Sequence, residues 1–161
     1  MIFIGIDPGV SGAMVAMEDS GRLLDVLMMP TMVVGSKKRV NPAAVAAWLR
    51  DIRPGHVVIE RVGAMPGQGT ASMFSFGHSA GVLEGVVAAL GLPYTLATPQ
   101  QWKGAAGLIG ADKDASRTRA LQLWPDVREL HAKAKGQALA DAALIAQFGL
   151  KAMGDKNEQA V

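Results

Sequence analysis

The first nine residues constrain the fold of this chain more than any other stretch. Residues 1–6 are almost all apolar and rich in β-branched side chains, which is typical of a strand buried on both faces at the centre of a mixed sheet. Asp7 follows directly, and Pro8-Gly9 ends the strand with turn-forming residues. The pattern therefore predicts a central strand with a carboxylate at its carboxyl end. An Asp before Pro-Gly is also a common turn initiator, so this motif alone leaves the function open.

Length and composition indicate one globular domain. The chain has 161 residues, of which 50% are hydrophobic and 19% charged, and it contains no cysteine, which excludes a disulfide scaffold and a thiolate metal site. The N-terminus lacks the basic flank of a signal peptide, and the longest apolar region, residues 80–92, contains Glu84 and three glycines. We expect a single domain over residues 1–150, a mobile tail over residues 151–161, no membrane segment and a cytoplasmic location.

The rest of the chain predicts an α/β fold with a mixed five-stranded sheet flanked by helices. Strands are expected over residues 13–18, 23–29, 56–60 and 94–97, with an exposed loop over residues 32–40. A helix that begins at Asn41-Pro42 would serve as the crossover that places the strand over residues 56–60 parallel to the first strand. Further helices are expected over residues 73–90, 99–107, 113–124 and 138–150.

Two surface features allow more than one interpretation. The expected loop carries three adjacent cations, Lys37, Lys38 and Arg39, which fit a phosphate contact or, more commonly, a solvated surface. The helix over residues 73–90 has glycines at positions 77, 81 and 85, four apart on one face. Such a face permits close approach of another backbone, either the sheet or a second subunit.

Three acids occupy positions where an isolated charge is costly. Asp7 and Glu60 end buried strands, and Asp141 lies within the apolar last helix. If that helix crosses the sheet near the two strand ends, the three carboxylates converge. Carboxylates without cysteine or histidine favour Mg²⁺ or Mn²⁺, and two such ions about 4 Å apart support phosphodiester hydrolysis. Each acid alone could instead cap a turn or pair with a nearby Arg or Lys.

Ordered motifs resemble those of RuvC-type Holliday junction resolvases, most closely the small bacteriophage-type members. These are Ile-Gly-Ile-Asp-Pro-Gly at 4–9, Val-Val-Ile-Glu at 57–60, Thr-Pro at 98–99, Ala-Asp-Lys at 111–113 and Ala-Asp-Ala-Ala-Leu-Ile-Ala at 140–146, with a similar loop and helix over residues 64–77. The resemblance covers most of the chain. It implies a ribonuclease H-like fold, a homodimer, and Mg²⁺-dependent paired nicking of four-way DNA junctions, with Mn²⁺ as a substitute ion.

By that resemblance, Asp7, Glu60 and Asp141 are the catalytic metal ligands. The family usually adds a fourth acidic or histidine ligand about one helical turn before the last acid, where this chain has Gln137 and Ala138. Neither residue is a good substitute, and Glu129 or His131 would reach the site only if the connection folds back. This difference motivates an alternative function, a junction-binding protein with weak or lost cleavage.

The residues expected to contact branched DNA are mostly cations. Lys113 lies in the Ala-Asp-Lys motif, and Lys103, Arg117 and Arg61 are candidate contacts to the DNA backbone. Phe74 or Phe76 could stack on an unpaired base, although an aromatic at helical spacing is more often part of the core. We assign the three tryptophans to the core.

Two other functions share parts of this pattern. An actin-like phosphotransferase would explain Asp-Pro-Gly, but it needs a second glycine-rich phosphate loop and roughly twice this length. A ribonuclease H-like enzyme acting on RNA stays open, since only the closeness of the motif match argues against it.

Overall fold

A computed structural model describes residues 1–63, 67, 69–112 and 114–158 of the chain. These residues form seven strands and five α-helices, with one 3₁₀ turn before the last helix. The strands are β1 (Ile2–Asp7), β2 (Ala13–Glu18), β3 (Leu23–Met28), β4 (Thr31–Val34), β5 (Lys37–Val40), β6 (His56–Glu60) and β7 (Tyr94–Ala97). The helices are α1 (Pro42–Ile52), α2 (Thr70–Ala89), α3 (Pro99–Ala105), α4 (Ala115–Leu123) and α5 (Lys133–Glu158), and the 3₁₀ turn is Arg128–His131.

Five of the strands form one mixed sheet with β1 at its centre. The strand order is β3-β2-β1-β6-β7, with β2 and β3 antiparallel to their neighbours and β6 and β7 parallel to β1. Both faces of β1 are buried, as the apolar run predicts, and Ile4 and Ile6 are fully buried. Ile6 pairs with Ile59, so Asp7 and Glu60 follow at the same edge of the sheet. The predicted fold class is confirmed.

Two apolar layers hold the sheet. On one face, α5 packs across β1, β2 and β6 through an alanine-rich stretch that includes Ala142, Ala143 and Ala146. On the other face, side chains such as Ile4 and Ile6 pack against Val45 and Leu49 of α1 and Leu83 and Val87 of α2. Val45 and Leu49 are four residues apart, as expected for the buried face of a helix.

Gly5 permits the close approach of α5 to β1. A Cβ atom at Gly5 would lie 2.0 Å from the carbonyl oxygen of Ala142 and 2.4 Å from the amide nitrogen of Ala146. The two backbones therefore meet directly, without an intervening side chain. Because Asp141 immediately precedes Ala142, this contact fixes where the third acid lies along the sheet.

Residues 32–40 form a hairpin, so the expected loop was wrong. Thr31 to Val34 pairs with Lys37 to Val40, Gly35 adopts a φ of 63° in the turn, and the amide of Asn41 donates to the carbonyl of Pro30 at 2.8 Å. The β-branched residues of this stretch favour strands, and Gly35-Ser36 supplies the turn. The three adjacent cations of this stretch led to the prediction of a loop.

Two helices are longer than predicted. Helix α2 begins at Thr70 rather than at residue 73, and α5 runs over Lys133–Glu158 rather than over residues 138–150. The polar first turn of α5 lacks the apolar periodicity that marks a helix, which concealed its start. Most of the expected tail, residues 151–158, continues the helix, and residues 159–161 lie outside the described residues.

The glycine face of α2 points away from the sheet. A Cβ atom at Gly77, Gly81 or Gly85 would have no atom within 4 Å, so these glycines do not serve packing within the described chain. Of the two partners that the spacing allows, the sheet is thus excluded. Among the described residues, no helix has both the length and the apolar composition that crossing a bilayer requires.

Candidate active site

The three acids singled out from the sequence lie at one edge of the sheet. Asp7 ends β1 and Glu60 ends the adjacent parallel strand β6. Asp141 reaches the same edge from α5, which lies over β1 at Gly5. All three side chains are partly buried. Parallel pairing of the strands and the backbone contact of the helix therefore gather residues from the start, middle and end of the chain.

Burial raises the pKa of all three acids, and neighbouring carboxylates raise the pKa of Asp7 and Glu60 further. Burial is the main cause that raises the pKa of Asp7 to about 8, followed by the negative charges of Asp141 and Glu60, while Lys103 acts in the opposite direction. Since an ordinary Asp titrates near 3.8, Asp7 is largely protonated at neutral pH without a cation. The three acids thus outnumber the one nearby cation, Lys103.

Trp102 forms a hydrogen bond with the Glu60 carboxylate. Its indole Nε1 donates a hydrogen bond of 2.9 Å to Oε1 of Glu60, although the ring is only 1% exposed and belongs to the core. Burial raises the pKa of Glu60, the Trp102 hydrogen bond lowers it, and Asp141 raises it further. The core role predicted for Trp102 is confirmed, but its second role was missed. The signal was its place in α3, directly after the Thr98–Gln101 capping box.

Gln137 and Ser116 support Asp141. Nε2 of Gln137 donates to Oδ1 of Asp141 at 3.2 Å, one turn away on α5. Burial raises the pKa of Asp141, and hydrogen bonds from Ser116 and Gln137 lower it. The amide oxygen of Gln137 is buried and has no hydrogen-bond partner among the described residues. The sequence analysis named Gln137 only as a poor substitute ligand and missed its hydrogen bond to Asp141, although the spacing of four residues places both on one helix face.

Lys103 interacts electrostatically with all three acids. It acts to lower the pKa of Asp7, Glu60 and Asp141, and its Nζ lies 5.2 Å from the centre of the Trp102 ring. It lines a pocket of about 650 Å³ with Glu60 and a second pocket of about 200 Å³ with Asp141. Lys103 is therefore placed to meet a phosphate that approaches the acids from either pocket.

Two of the other predicted DNA contacts, Arg61 and Arg117, lie near this edge. Arg61 lines the larger pocket, and the aliphatic stem of Arg117 lies beside Gly136 at the start of α5. Phe74 is 69% exposed on α2, so it does not belong to the core, whereas Phe76 is partly buried beside Gly9. Lys113 lies outside the described residues.

The donor set fits a hard cation. In the described part of the chain, no three acidic, histidine or cysteine side chains are already set at metal-binding distances. Glu60 and Asp141 each face a hydrogen-bond donor instead. The acids and the unpartnered Gln137 amide oxygen present only oxygen ligands, which suit Mg²⁺ or Mn²⁺. A cation here would satisfy the buried amide oxygen and relieve the repulsion between the carboxylates.

Comparison with known proteins identifies the fold. No family model and no curated protein sequence matches the chain. The structure of Thermus thermophilus RuvC in complex with a Holliday junction substrate matches with a TM-score of 0.66 at 21% identity, over 95% of each chain. A second structure of this RuvC matches with a TM-score of 0.65 at 24% identity, over 96% of this chain and 97% of that one. The chain has the fold of RuvC. The motif resemblance thus has a structural counterpart along nearly the whole chain.

Proposed function

We propose that this protein is a structure-selective DNA endonuclease that resolves four-way junctions by paired, metal-dependent phosphodiester hydrolysis. The observation that carries the proposal is the convergence of Asp7, Glu60 and Asp141 at one sheet edge, within a fold shared with RuvC. The raised pKa of each acid supports the proposal, since carboxylates that are buried together at one edge are matched to a cationic cofactor. In this assignment the protein is a crossover junction endodeoxyribonuclease.

Asp7, Glu60 and Asp141 would hold Mg²⁺, with Mn²⁺ as a substitute, and the Gln137 amide oxygen is a further donor. When bound, such an ion stabilises charge on the phosphate and makes water a better nucleophile at neutral pH. Trp102 holds Glu60, while Gln137 and Ser116 orient Asp141. Asp7, whose pKa is raised to about 8, would hold such an ion as the deprotonated carboxylate.

Cations and one aromatic residue would position the DNA. Lys103 neutralises a backbone phosphate beside the acids, and Arg61 extends this contact along the larger pocket. Arg117 is assigned to a further backbone phosphate, and Lys113, by its place in the Ala-Asp-Lys motif, to a phosphate near the scissile bond. Phe74, whose ring is 69% exposed, stacks on an unpaired base at the crossover.

A homodimer follows from paired cleavage. A four-way junction has two equivalent strands to cut, and a two-fold dimer places one site at each of them. The exposed glycine face of α2 supports this assembly, because two such faces permit two helices to approach closely. Gly77, Gly81 and Gly85 are therefore assigned to the subunit interface.

The alternative function is junction binding with weak or lost cleavage. It is favoured by Ala138, which is 8% exposed within the apolar core cluster and offers no ligand, and by the neutral amide at Gln137. A site with one carboxylate fewer than the family pattern attracts a divalent ion less strongly. Both functions require binding of branched DNA, so turnover separates them.

The proposed function is tested by cleavage of a synthetic four-way junction, with a linear duplex of the same sequence as reference. With Mg²⁺ or Mn²⁺, we expect symmetric paired nicks in the junction only, reduced by on the order of a hundredfold or more in Asp141→Asn. The matched control is Asp51→Asn, an exposed acid of α1, which should nick normally. Binding without metal-dependent nicks would support the alternative, and absence of binding would overturn both.

Gln137→Glu is expected to tighten Mn²⁺ binding by about tenfold, because it adds a carboxylate beside Asp141. The readout is calorimetric titration of Mn²⁺ in the absence of DNA. Gln147→Glu adds the same charge farther along α5 and should leave the affinity unchanged. Equal affinities in wild type and Gln137→Glu would show that residue 137 does not face the ion.

A further inference from the structure

A further pocket lies beside the turn that follows Asp7. It has a volume of about 570 Å³ and lies between three elements that are far apart in sequence. The turn contributes Gly9 and Val10, the β4–β5 hairpin contributes Lys37 and Lys38, and the start of α2 contributes Ser72 and Ser75. The proposed function does not use this pocket.

The charge of the pocket fits an anion. Lys37 and Lys38 are exposed, and the ion pairs of the described residues, Met1–Asp19 and Arg22–Glu18, involve neither of them. No described lining residue is acidic. The side-chain hydroxyls of Ser72 and Ser75 make no hydrogen bond to another described residue, so both are free to donate. The lysines and serines around the pocket therefore offer ammonium and hydroxyl donors, with no ion pair to a described residue, and such donors suit phosphate oxygens.

The hairpin holds the lysines in place. Lys37 pairs with Val34 and Lys38 with Val33, and α2 contacts β5 along its side. The amide of Asn41 closes the hairpin on Pro30 at 2.8 Å. These bonds fix the backbone of both lysines at the rim of the pocket, which distinguishes them from cations on an unstructured loop.

The position of the pocket links it to the acids. Phe76 lines this pocket and also the pocket of Glu60, Arg61 and Lys103, so the two pockets are neighbours that share one side chain. Gly9 is two residues beyond Asp7 and approaches the same ring. A nucleic-acid strand that crosses the acidic edge therefore has cations at both ends of its path, Lys103 on one side and the hairpin lysines on the other.

We propose that Lys37, Lys38, Ser72 and Ser75 form a phosphate-binding pocket for the backbone of branched DNA. This inference rests on the proposed function and adds a contact to it. The pocket binds a backbone phosphate of the strand to be cut, beyond the scissile position, and so sets the register of that strand across Asp7. It reads no base sequence, since its donors match phosphate oxygens.

The test uses the full chain with Lys37→Gln and Lys38→Gln combined, and measures junction binding by fluorescence anisotropy in EDTA at several salt concentrations. We expect binding about tenfold weaker near 0.1 M salt and a slope of log affinity against log salt that is smaller by about one to two. Arg50→Gln combined with Lys151→Gln removes two exposed cations at the opposite end of the sheet and should leave both quantities unchanged. Thermal unfolding verifies that both double variants fold.

A chemical change in the DNA locates the contact. A methylphosphonate removes one backbone charge, and a scan along the cut strand should find one position that weakens wild-type binding but not binding by the lysine double variant. If the methylphosphonate and the lysine substitutions weakened binding additively at every position, the pocket proposal would be overturned. Unchanged affinity and salt slope in the double variant would also overturn it. If wild type nicks the junction while the double variant binds normally, only the pocket fails. If wild type neither binds nor nicks, the proposed function and the pocket both fail.

Discussion

Asp7→Asn is expected to reduce metal-dependent junction nicking by about a thousandfold or more and, in the same molecule, to stabilise the metal-free fold. The loss follows from the central place of Asp7, whose pKa is raised by burial and by both other acids. An amide in its position carries no charge and binds a divalent ion poorly. The gain in stability follows from the same burial, because Asn cannot ionise.

The stability effect has a defined pH window. The pKa of Asp7 rises on folding from 3.8 to about 8, so the folded state holds its proton more tightly than the unfolded state. Its contribution to stability is therefore fully present below about pH 4 and is lost as pH rises through about 8. The raised pKa values of Glu60 and Asp141 act in the same direction.

Urea unfolding in EDTA at pH 4, 6 and 8 measures this effect. The free energy of unfolding of Asp7→Asn relative to wild type should grow over this range by up to about 5 kcal/mol. Mn²⁺ should reverse the order at pH 8, because it stabilises the protein that binds it. Asp51→Asn, on the surface of α1, should show neither effect. A constant difference between Asp7→Asn and wild type across this pH range would mean that Asp7 is not the perturbed acid.

Gly5→Ala is expected to destabilise the protein by about 3 kcal/mol or more and to abolish nicking. The new Cβ would lie 2.0 Å from the carbonyl oxygen of Ala142 and 2.4 Å from the amide nitrogen of Ala146. Both contacts are to backbone, so no side-chain rotation relieves them, and α5 must shift away from β1. Asp141 shifts with it and leaves the edge that Asp7 and Glu60 occupy.

Chemical denaturation of Gly5→Ala and Gly154→Ala separates this packing effect from helix propensity. Gly154 lies on α5 with no atom within 4 Å of its Cβ position, so Gly154→Ala should be neutral or stabilising by up to about 1 kcal/mol. A wild-type midpoint for Gly5→Ala would contradict the close contact between α5 and β1.

Local patterns were sufficient to predict the elements that build the site. The apolar run before Asp7, the Asn41-Pro42 helix start and the strand ending at Glu60 each carry a signal within a few residues, and all three are confirmed. The convergence of Asp141 needed one further assumption, that the last helix crosses the sheet. Gly5 provides the physical reason, since only glycine permits that approach.

The features that could not be predicted from the sequence depend mainly on contacts between distant elements. The hydrogen bond from Trp102 to Glu60 joins α3 to β6, and no spacing within either element indicates it. Whether Gln137 or Ala138 faces the acids depends on the rotation of α5, which is fixed by its packing. The hairpin over residues 31–40 was missed because its strands are short and its cations outweigh its β-branched residues.

The scattering of the three acids along the chain has a consequence for how the protein acquires activity. Asp7 and Glu60 meet when β1 pairs with β6, but Asp141 joins them only when α5, the last element in sequence, docks on the finished sheet. Contacts between such remote segments form late, because a long loop of chain must close first. A partly folded molecule therefore has no assembled centre, and its proposed ability to cut DNA arises in the same step that completes the native core.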